Sequence, residues 1–284
     1  MKSENAQQMS LNAQLLTLNS QQNPRVKHLM LLQQKSQQRR SEGLFVVEGH
    51  REVAHCIQAD FQVDSLFVCP ELLHETESDI VAYVDSRSLP IYALPPSLYA
   101  KVAYRGSTEG IIAVVHERNL HLSDLQLSAS PLIMVLESVE KPGNLGAVLR
   151  SADAAGADAV VVCDPLTDLY NPNLIRSSLG AIFTVPTVAC TSQECISFLQ
   201  ERHINILTAQ LQDSLPYYNT DMHRPTALVM GTESTGLTQQ WRTAATAHIR
   251  IPMLGHLDSL NVSVSAAILL FEAVRQRIIE QDEE

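Results

Sequence analysis

Apolar positions along this chain fall into short runs separated by longer stretches of helical period, and that alternation defines an α/β protein. In the first half, Leu44 to Val47, Val63 to Cys69, Ile91 to Leu94 and Gly110 to Val115 read as strands. A helix is predicted from Pro24, which suits a first helical position, to about Arg40. Others cover Arg51 to Ala59 and a stretch closing over Asp79 to Val84. In the second half, a buried strand at Leu132–Leu136 precedes a helix over Asn144–Ala155. Ala159–Cys163, Ile204–Leu207, Ala227–Met230 and the extended segment Ile249–Pro252 follow as strands. Helices are predicted at Asn173–Leu179, Glu194–Arg202 and Ser259 to about Glu280. Continuous apolar strands belong to a mainly parallel sheet covered on both faces. Such a sheet binds ligands beyond the carboxyl ends of its strands.

A chain of 284 residues suits two domains. Residues 117–131 are polar and end in the breaker cluster Ser128–Pro131, which marks a linker. The expected order is a loosely held arm over 1–23, a smaller α/β module over 24–116, the linker, and a larger domain over 132–284. No apolar run approaches the roughly 18–20 residues that span a bilayer. The first ten residues, MKSENAQQMS, lack a secretory apolar stretch. A soluble, cytoplasmic protein with no membrane partner is expected.

Charge changes the picture locally. The formal net charge is −11, which does not favour phosphate contacts. Between Pro24 and Arg51, however, Arg25, Lys27, Lys35, Arg39, Arg40 and Arg51 face only Glu42 and Glu48, a net +4. Such a basic segment on an acidic protein suits a local RNA contact, and on charge alone it is equally a solvated helix face. The five cysteines, Cys56, Cys69, Cys163, Cys190 and Cys195, show no C-x-x-C spacing and no accompanying histidine cluster. They read as core or surface residues in a reducing compartment, with no metal expected.

Three segments carry candidate chemistry. In KPGNLGAVLRSADAAG, residues 141–156, Asn144 reads as an N-cap and Leu145, Val148, Leu149 and Ala152 form one apolar stripe. Arg150 lies roughly 150° from the centre of that stripe at 100° per residue, pointing away from the sheet. Its guanidinium suits a phosphate or a polarised hydroxyl; read alone, it is more often a surface arginine. In ALVMGTESTGL, residues 227–237, an apolar strand runs into Gly231, and Glu233 stands at its carboxyl end. Read alone, this is as well a strand-to-helix turn with Glu233 in the first helical turn. In RIPMLGHLDSLNVSVSAAILLFEAVRQR, residues 250–277, Ser259 and Asn261 open a helix apolar nearly all round from Val262 to Val274. That pattern fits a helix between its own sheet and a second subunit, or a central core helix.

At these three segments the chain resembles the SpoU-type, or TrmH-like, branch of the SPOUT RNA methyltransferases. Pro142, Asn144, Gly146, Ala147 and Arg150 match the first family motif, and Gly231, Glu233, Gly236 and Leu237 the second. Ile251, Pro252, Met253, Gly255 and the run Ser259–Val264 match the third. Residues 24–116 look more loosely like a ribosomal-protein-like substrate-binding domain. Ser151 stands where the family usually has Thr. The resemblance implies a trefoil-knotted C-terminal domain and a homodimer formed through it. It implies S-adenosylmethionine as cofactor, held near Thr208, Ala209, Gly231, Ile251, Met253 and Leu260. It also implies methylation of a ribose 2′-hydroxyl in RNA, ribosomal rather than transfer RNA. Arg150 is then the expected catalytic residue, with Asn144, Glu233, Ser259 and Asn261 holding the groups in register. A non-catalytic RNA-binding protein on the same fold is the alternative, distinguished by absence of cofactor binding.

Overall fold

The computed structural model describes residues 15–73, 78–104, 109–232, 235–256 and 259–283. Most of the expected N-terminal arm, residues 1–14, lies outside them, as does Glu233. The chain forms two compact units. One comprises the residues up to Arg118 together with Tyr170–Gly180, and the other Asn119–Leu169 and the chain from Ala181.

The first unit contains β1 (Leu16–Thr17), α1 (Pro24–Gln34), α2 (Ser36–Glu42), β2 (Leu44–Glu48), α3 (His50–Gln58), β3 (Val63–Val68), α4 (Ser78–Ser86), β4 (Ile91–Ala93), α5 (Pro96–Val102) and β5 (Ile111–His116). Its sheet runs β1-β4-β3-β5-β2 among the described residues, with β3 and β2 antiparallel to β5. Val26, Leu29 and Leu32 of α1 are buried in a core that includes Phe67, Tyr92 and Ile112. The single helix expected from Pro24 to Arg40 is two, because Lys35 adopts an extended conformation (φ −118°, ψ 109°) between them. A further difference concerns residues 170–180, assigned to the larger domain by chain order. Tyr170 stacks on Phe45 with ring centroids 4.2 Å apart, and this apolar anchor holds the following helix in the first unit.

In the second unit, β6 (Leu132–Glu137) leads to α6 (Pro142–Ala154) and β7 (Ala159–Cys163). α7 (Pro172–Ser178) is the excursion into the first unit; α8 (Ala181–Thr184), β8 (Thr187–Cys190), α9 (Ser192–Glu201) and β9 (Asn205–Ala209) follow. β10 (Leu215–Pro216), β11 (Thr226–Met230), α10 (Gln239–Ala244), β12 (Ala247–Arg250) and α11 (Val262–Glu283) complete it. The sheet order is β10-β12-β9-β11-β6-β7-β8, and each neighbouring pair is parallel. This agrees with the expected doubly covered parallel sheet. β6, β7 and β11 are buried throughout and β9 at its centre, whereas β8, β10 and β12, toward the two edges of the sheet, are largely part-buried.

α11 departs from burial on all sides. Val262, Ala266, Leu269, Leu270 and Ala273 are buried, but Val264, Phe271 and Ile278 are about half exposed. Those three recur every seven residues, so they share one helix face. At its far end, Arg277 donates to the carbonyls of Met222 (2.9 Å), Ser130 (2.8 Å) and Arg224 (3.0 Å), tying α11 to the chain that leads into β6 and β11. Among the described residues, no helix is long and apolar enough to cross a membrane.

Candidate functional site

The carboxyl ends of β9, β11 and β12 open onto a cleft of about 360 Å³. Ala209, Met230, Gly231, Leu237, Ile251, Met253 and Leu260 supply its mostly apolar walls, and Thr232, Ser259, Arg242 and Arg250 its polar rim. Five of the six expected cofactor residues are therefore on the cleft. Thr208 is not: its side chain is fully buried inside the sheet, and its hydroxyl bonds His248 Nδ1 at 2.6 Å. One residue before the strand end, its side chain points off the cleft because alternate positions face opposite sides.

Gly231 makes the turn out of β11 possible. A Cβ there would lie 2.3 Å from the carbonyl carbon and oxygen of Gly236, and 2.5 Å from the Leu237 nitrogen. The loop folds back so tightly that Thr232 and Gly236 pair, with Gly236 in the left-handed region (φ +67°). The same loop is held from the sheet. Glu137, the last residue of β6 and only 2% exposed, accepts from the Thr238 N–H (2.8 Å) and hydroxyl (2.7 Å). Ser192 Oγ, 3.2 Å from the Glu137 carboxylate, receives the Trp241 indole N–H (3.0 Å) and shares its one proton chiefly with Asp164 (2.6 Å). This buried network was not legible in the sequence, where Glu137 is one carboxylate ending an apolar run. A charged residue terminating an otherwise apolar strand is the signal available.

The first and third motifs meet beside this loop. Asn261 caps α11: its Oδ1 accepts from the Ser263 N–H (2.9 Å) and hydroxyl (2.6 Å). Its amide donates to Asn144 Oδ1 at 3.2 Å. Asn144 itself is not the expected N-cap. α6 begins at Pro142, whose missing N–H costs nothing in the first turn, so Asn144 falls inside the helix and its side chain is available to Asn261. A smaller recess of about 180 Å³ lies at this junction, lined by Val139, Lys141, Asn144, Gly231, Thr232 and Val262. Ser259 is exposed on the cleft. Arg150 is exposed on α6, with no hydrogen-bond or ion-pair partner among the described residues, and lines neither recess. It sits six residues beyond Asn144, about 9 Å further along the helix.

Arg242 and Arg250 are cleft residues that sequence reasoning missed. Arg242 lies in the last turn of α10 and Arg250 ends β12, and neither was singled out as a site residue.

The basic residues expected to meet RNA lie in the first unit. Arg25, Lys27, Lys35, Arg40 and Arg51 are exposed. The Arg25 guanidinium sits 4.7 Å from the Tyr92 ring centroid, and Arg51 pairs with Glu52 at 2.9 Å. Arg39 corrects the expectation. It is 2% exposed, and its guanidinium donates to the carbonyls of Leu32 (2.5 Å) and Gln33 (3.2 Å). Those carbonyls are left without helical partners at the end of α1, so Arg39 caps a helix and meets no external phosphate.

Residues 131–271 match the SpoU rRNA Methylase family, and residues 23–113 match the MRM3-like substrate binding domain. The chain is 28% identical over 254 residues to the Bacillus subtilis 23S rRNA (guanosine(2553)-2'-O)-methyltransferase RlmP, covering 89% of this chain and 97% of that protein. It is 34% identical over 204 residues to the 23S rRNA (guanosine-2'-O-)-methyltransferase RlmB of Pectobacterium atrosepticum, covering 70% and 84% respectively. The AdoMet-bound rRNA methyltransferase from Sinorhizobium meliloti superposes with a TM-score of 0.85 at 26% identity, over 93% of this chain and 98% of that one.

Proposed function

The chain belongs to the SpoU rRNA methylase family, and from that membership we propose that it transfers a methyl group from S-adenosylmethionine to a ribose 2′-hydroxyl of ribosomal RNA. The observation that carries this reading is the convergence of all three motif segments on one junction. Asn144 bonds Asn261 beside Gly231, and the apolar cleft opens from the same loop.

The cleft fits the cofactor. Its volume falls within the roughly 300–1,000 Å³ of small-molecule sites, and Ile251, Met253 and Leu260 offer apolar contact to an adenine. The sulfonium of S-adenosylmethionine supplies an electrophilic methyl group, so the protein's task is to orient and to stabilise charge. Backbone groups at Ala209, Gly231 and Ile251 read the adenosine edge. Asn144, Ser259 and Asn261 fix the ribose against the cleft, and Glu233 follows the Gly231 turn as a further positioning residue. As the O–CH3 bond formed, the sulfonium S–CH3 bond would break to leave a neutral thioether, and the hydroxyl proton would pass to water. A guanidinium offers five N–H donors and no acceptor, so Arg150 stabilises the developing alkoxide and the adjacent phosphate and does not act as a base.

The same proposal brings Arg150 to the site through a homodimer. It lines neither recess of its own chain, while Val264, Phe271 and Ile278 leave an apolar stripe open on α11. A second copy covering that stripe brings its Arg150 to this cleft. The knot that accompanies this family fold belongs to the same proposal. The exposed Arg25, Lys27, Lys35, Arg40 and Arg51 hold the RNA backbone. Lys and Arg at that surface offset the repulsion expected from a net charge of −11.

The test is labelled methyl transfer from S-adenosylmethionine to ribosomal and transfer RNA from a strain lacking the protein, with mapping of the modified ribose. Label at one ribosomal ribose is expected. Label confined to transfer RNA, or to a base, overturns the substrate or the chemistry.

A further inference from the structure

The second unit gathers three thiols that the sequence keeps 5 to 32 residues apart. Cys163 ends β7, Cys190 ends β8, and Cys195 lies in the first turns of α9. Their sulfurs are all within 4.8 Å of one another, and all three cysteines are free thiols. Cys163 and Cys195 are fully buried; Cys190 is part-buried and gives access from solvent.

The positions are fixed by rigid elements. Cys163 and Cys190 are register partners on neighbouring parallel strands, so their side chains leave the same face of the sheet. α9 covers that face, with Cys195 and Leu199 packed on Val161 and Cys163. The backbone is pinned on each side. Asp164 N–H donates to the Cys190 carbonyl (2.9 Å), and Cys195 N–H donates to the Thr191 carbonyl (3.1 Å). Thr191 and Glu194 form a reciprocal capping box at the start of α9.

We propose that Cys163, Cys190 and Cys195 form a three-coordinate thiolate site for a soft monovalent d¹⁰ cation, Cu(I) in chemical class. Three sulfurs and no harder donor select such an ion. A structural zinc site takes four protein ligands. Among the described residues, no fourth Cys, His, Asp or Glu atom shares this sphere. The two nearest carboxylates along the chain are already engaged. Asp164 accepts from Ser192 Oγ at 2.6 Å, and Glu194 accepts from the Thr191 N–H and hydroxyl, each at 2.7 Å. A disulfide uses two of the thiols and leaves the third, whereas a trigonal ion uses all of them. Binding exchanges thiol protons for the cation, releasing up to one proton per sulfur to solvent. The N-terminal end of α9 offsets part of the negative charge that results.

The experiment is anaerobic titration of the reduced full chain with Cu(I) against a chromophoric Cu(I) chelator, followed by alkylation mapping. One Cu(I) per chain is expected, with Cys190, the accessible thiol of the three, protected from iodoacetamide in the copper-loaded chain and X-ray absorption showing coordination by three sulfurs. Cys190→Ser, at the most accessible position, is expected to weaken binding by at least about tenfold. The protection map of the wild-type chain stands whether or not that variant folds. No retention of Cu(I) against the chelator, retention unchanged in Cys190→Ser, or a disulfide between two of the thiols after exposure to copper overturns the proposal.

Discussion

Glu137 and Thr238 are 101 residues apart, yet the buried carboxylate accepts both the backbone N–H and the hydroxyl of Thr238, at 2.8 and 2.7 Å. The pair fastens the loop that follows Gly231 to the end of β6, and so couples the first motif's strand to the second motif's turn. Removing the acceptor deprives Thr238, itself exposed, of two charge-assisted hydrogen bonds, while Ser192 keeps Asp164 as its acceptor. Glu137→Ala is expected to destabilise the fold by about 3 kcal/mol and to weaken cofactor binding. Glu137→Gln, which keeps one carbonyl acceptor, is expected to lose less of both. Chemical denaturation and calorimetric titration with S-adenosylmethionine check the order; equal cofactor affinity in all three proteins contradicts the coupling.

Gly231→Ala tests the turn itself. The added Cβ meets Gly236 carbonyl atoms at 2.3 Å, and backbone cannot yield as a flexible side chain does. Overpacking of this kind costs about 1–3 kcal/mol. Because the loop lines the cleft, cofactor affinity is expected to fall with it. Gly255→Ala, where nothing lies within 4 Å of the new Cβ, is the control, with an expected effect within about 0.5 kcal/mol.

The apolar stripe of α11 predicts the assembly. Val264 and Phe271 are 48% and 47% exposed in the single chain, which in a helix otherwise well buried marks a surface to be covered. The wild-type chain is expected to sediment as a dimer, and the double variant Val264→Glu, Phe271→Glu as a folded monomer without transferase activity. If Arg150 serves the cleft of the other copy, mixing inactive Arg150→Ala chains with inactive Gly231→Ala chains restores transfer. No restoration in demonstrated mixed dimers places Arg150 and the cleft in one chain.

Acid stability depends in part on Glu272. Hydrogen bonds from Arg275, at 2.7 and 2.9 Å, and from Gln276 hold its carboxyl below the ordinary 4.5. A folded-state pKa below the unfolded one gives stability that is present above the unfolded value and is lost as pH falls through the folded one. The wild-type chain is therefore expected to lose its margin over Glu272→Gln as the pH falls below about 4.5, while near neutrality the wild type is the more stable. Because Arg275 is largely exposed, salt reduces the difference. Thermal unfolding of both proteins across that range measures it.

The sequence made the regular layers legible because period carries them. The apolar strands β6, β7, β9 and β11 and the buried stripe Leu145, Val148, Leu149 and Ala152 of α6 stand close to where their spacing put them, while β12 spans Ala247–Arg250 and not the expected Ile249–Pro252. Short elements were lost: β8 is four residues long and α10 six, too short for either period to register. Local chemistry misled at Asn144, whose capping propensity yielded to Pro142, and at Arg39, whose charge is consumed by carbonyls at a helix end. Contacts between distant segments left no pattern to read. Glu137 with Thr238, Asn144 with Asn261, and the three thiols are brought together by the order of the parallel strands, which no local window contains.

Side-by-side assay of the wild-type chain and Arg150→Ala, for S-adenosylmethionine binding and for single-turnover methyl transfer to ribosomal RNA, bears most heavily on the proposed chemistry. Arg150 lines neither recess, so the variant is expected to bind cofactor as the wild type does while transfer falls by about 10²–10³-fold. Transfer at the wild-type rate removes Arg150 from the reaction, and absence of both binding and transfer in the wild-type chain contradicts a methyltransferase.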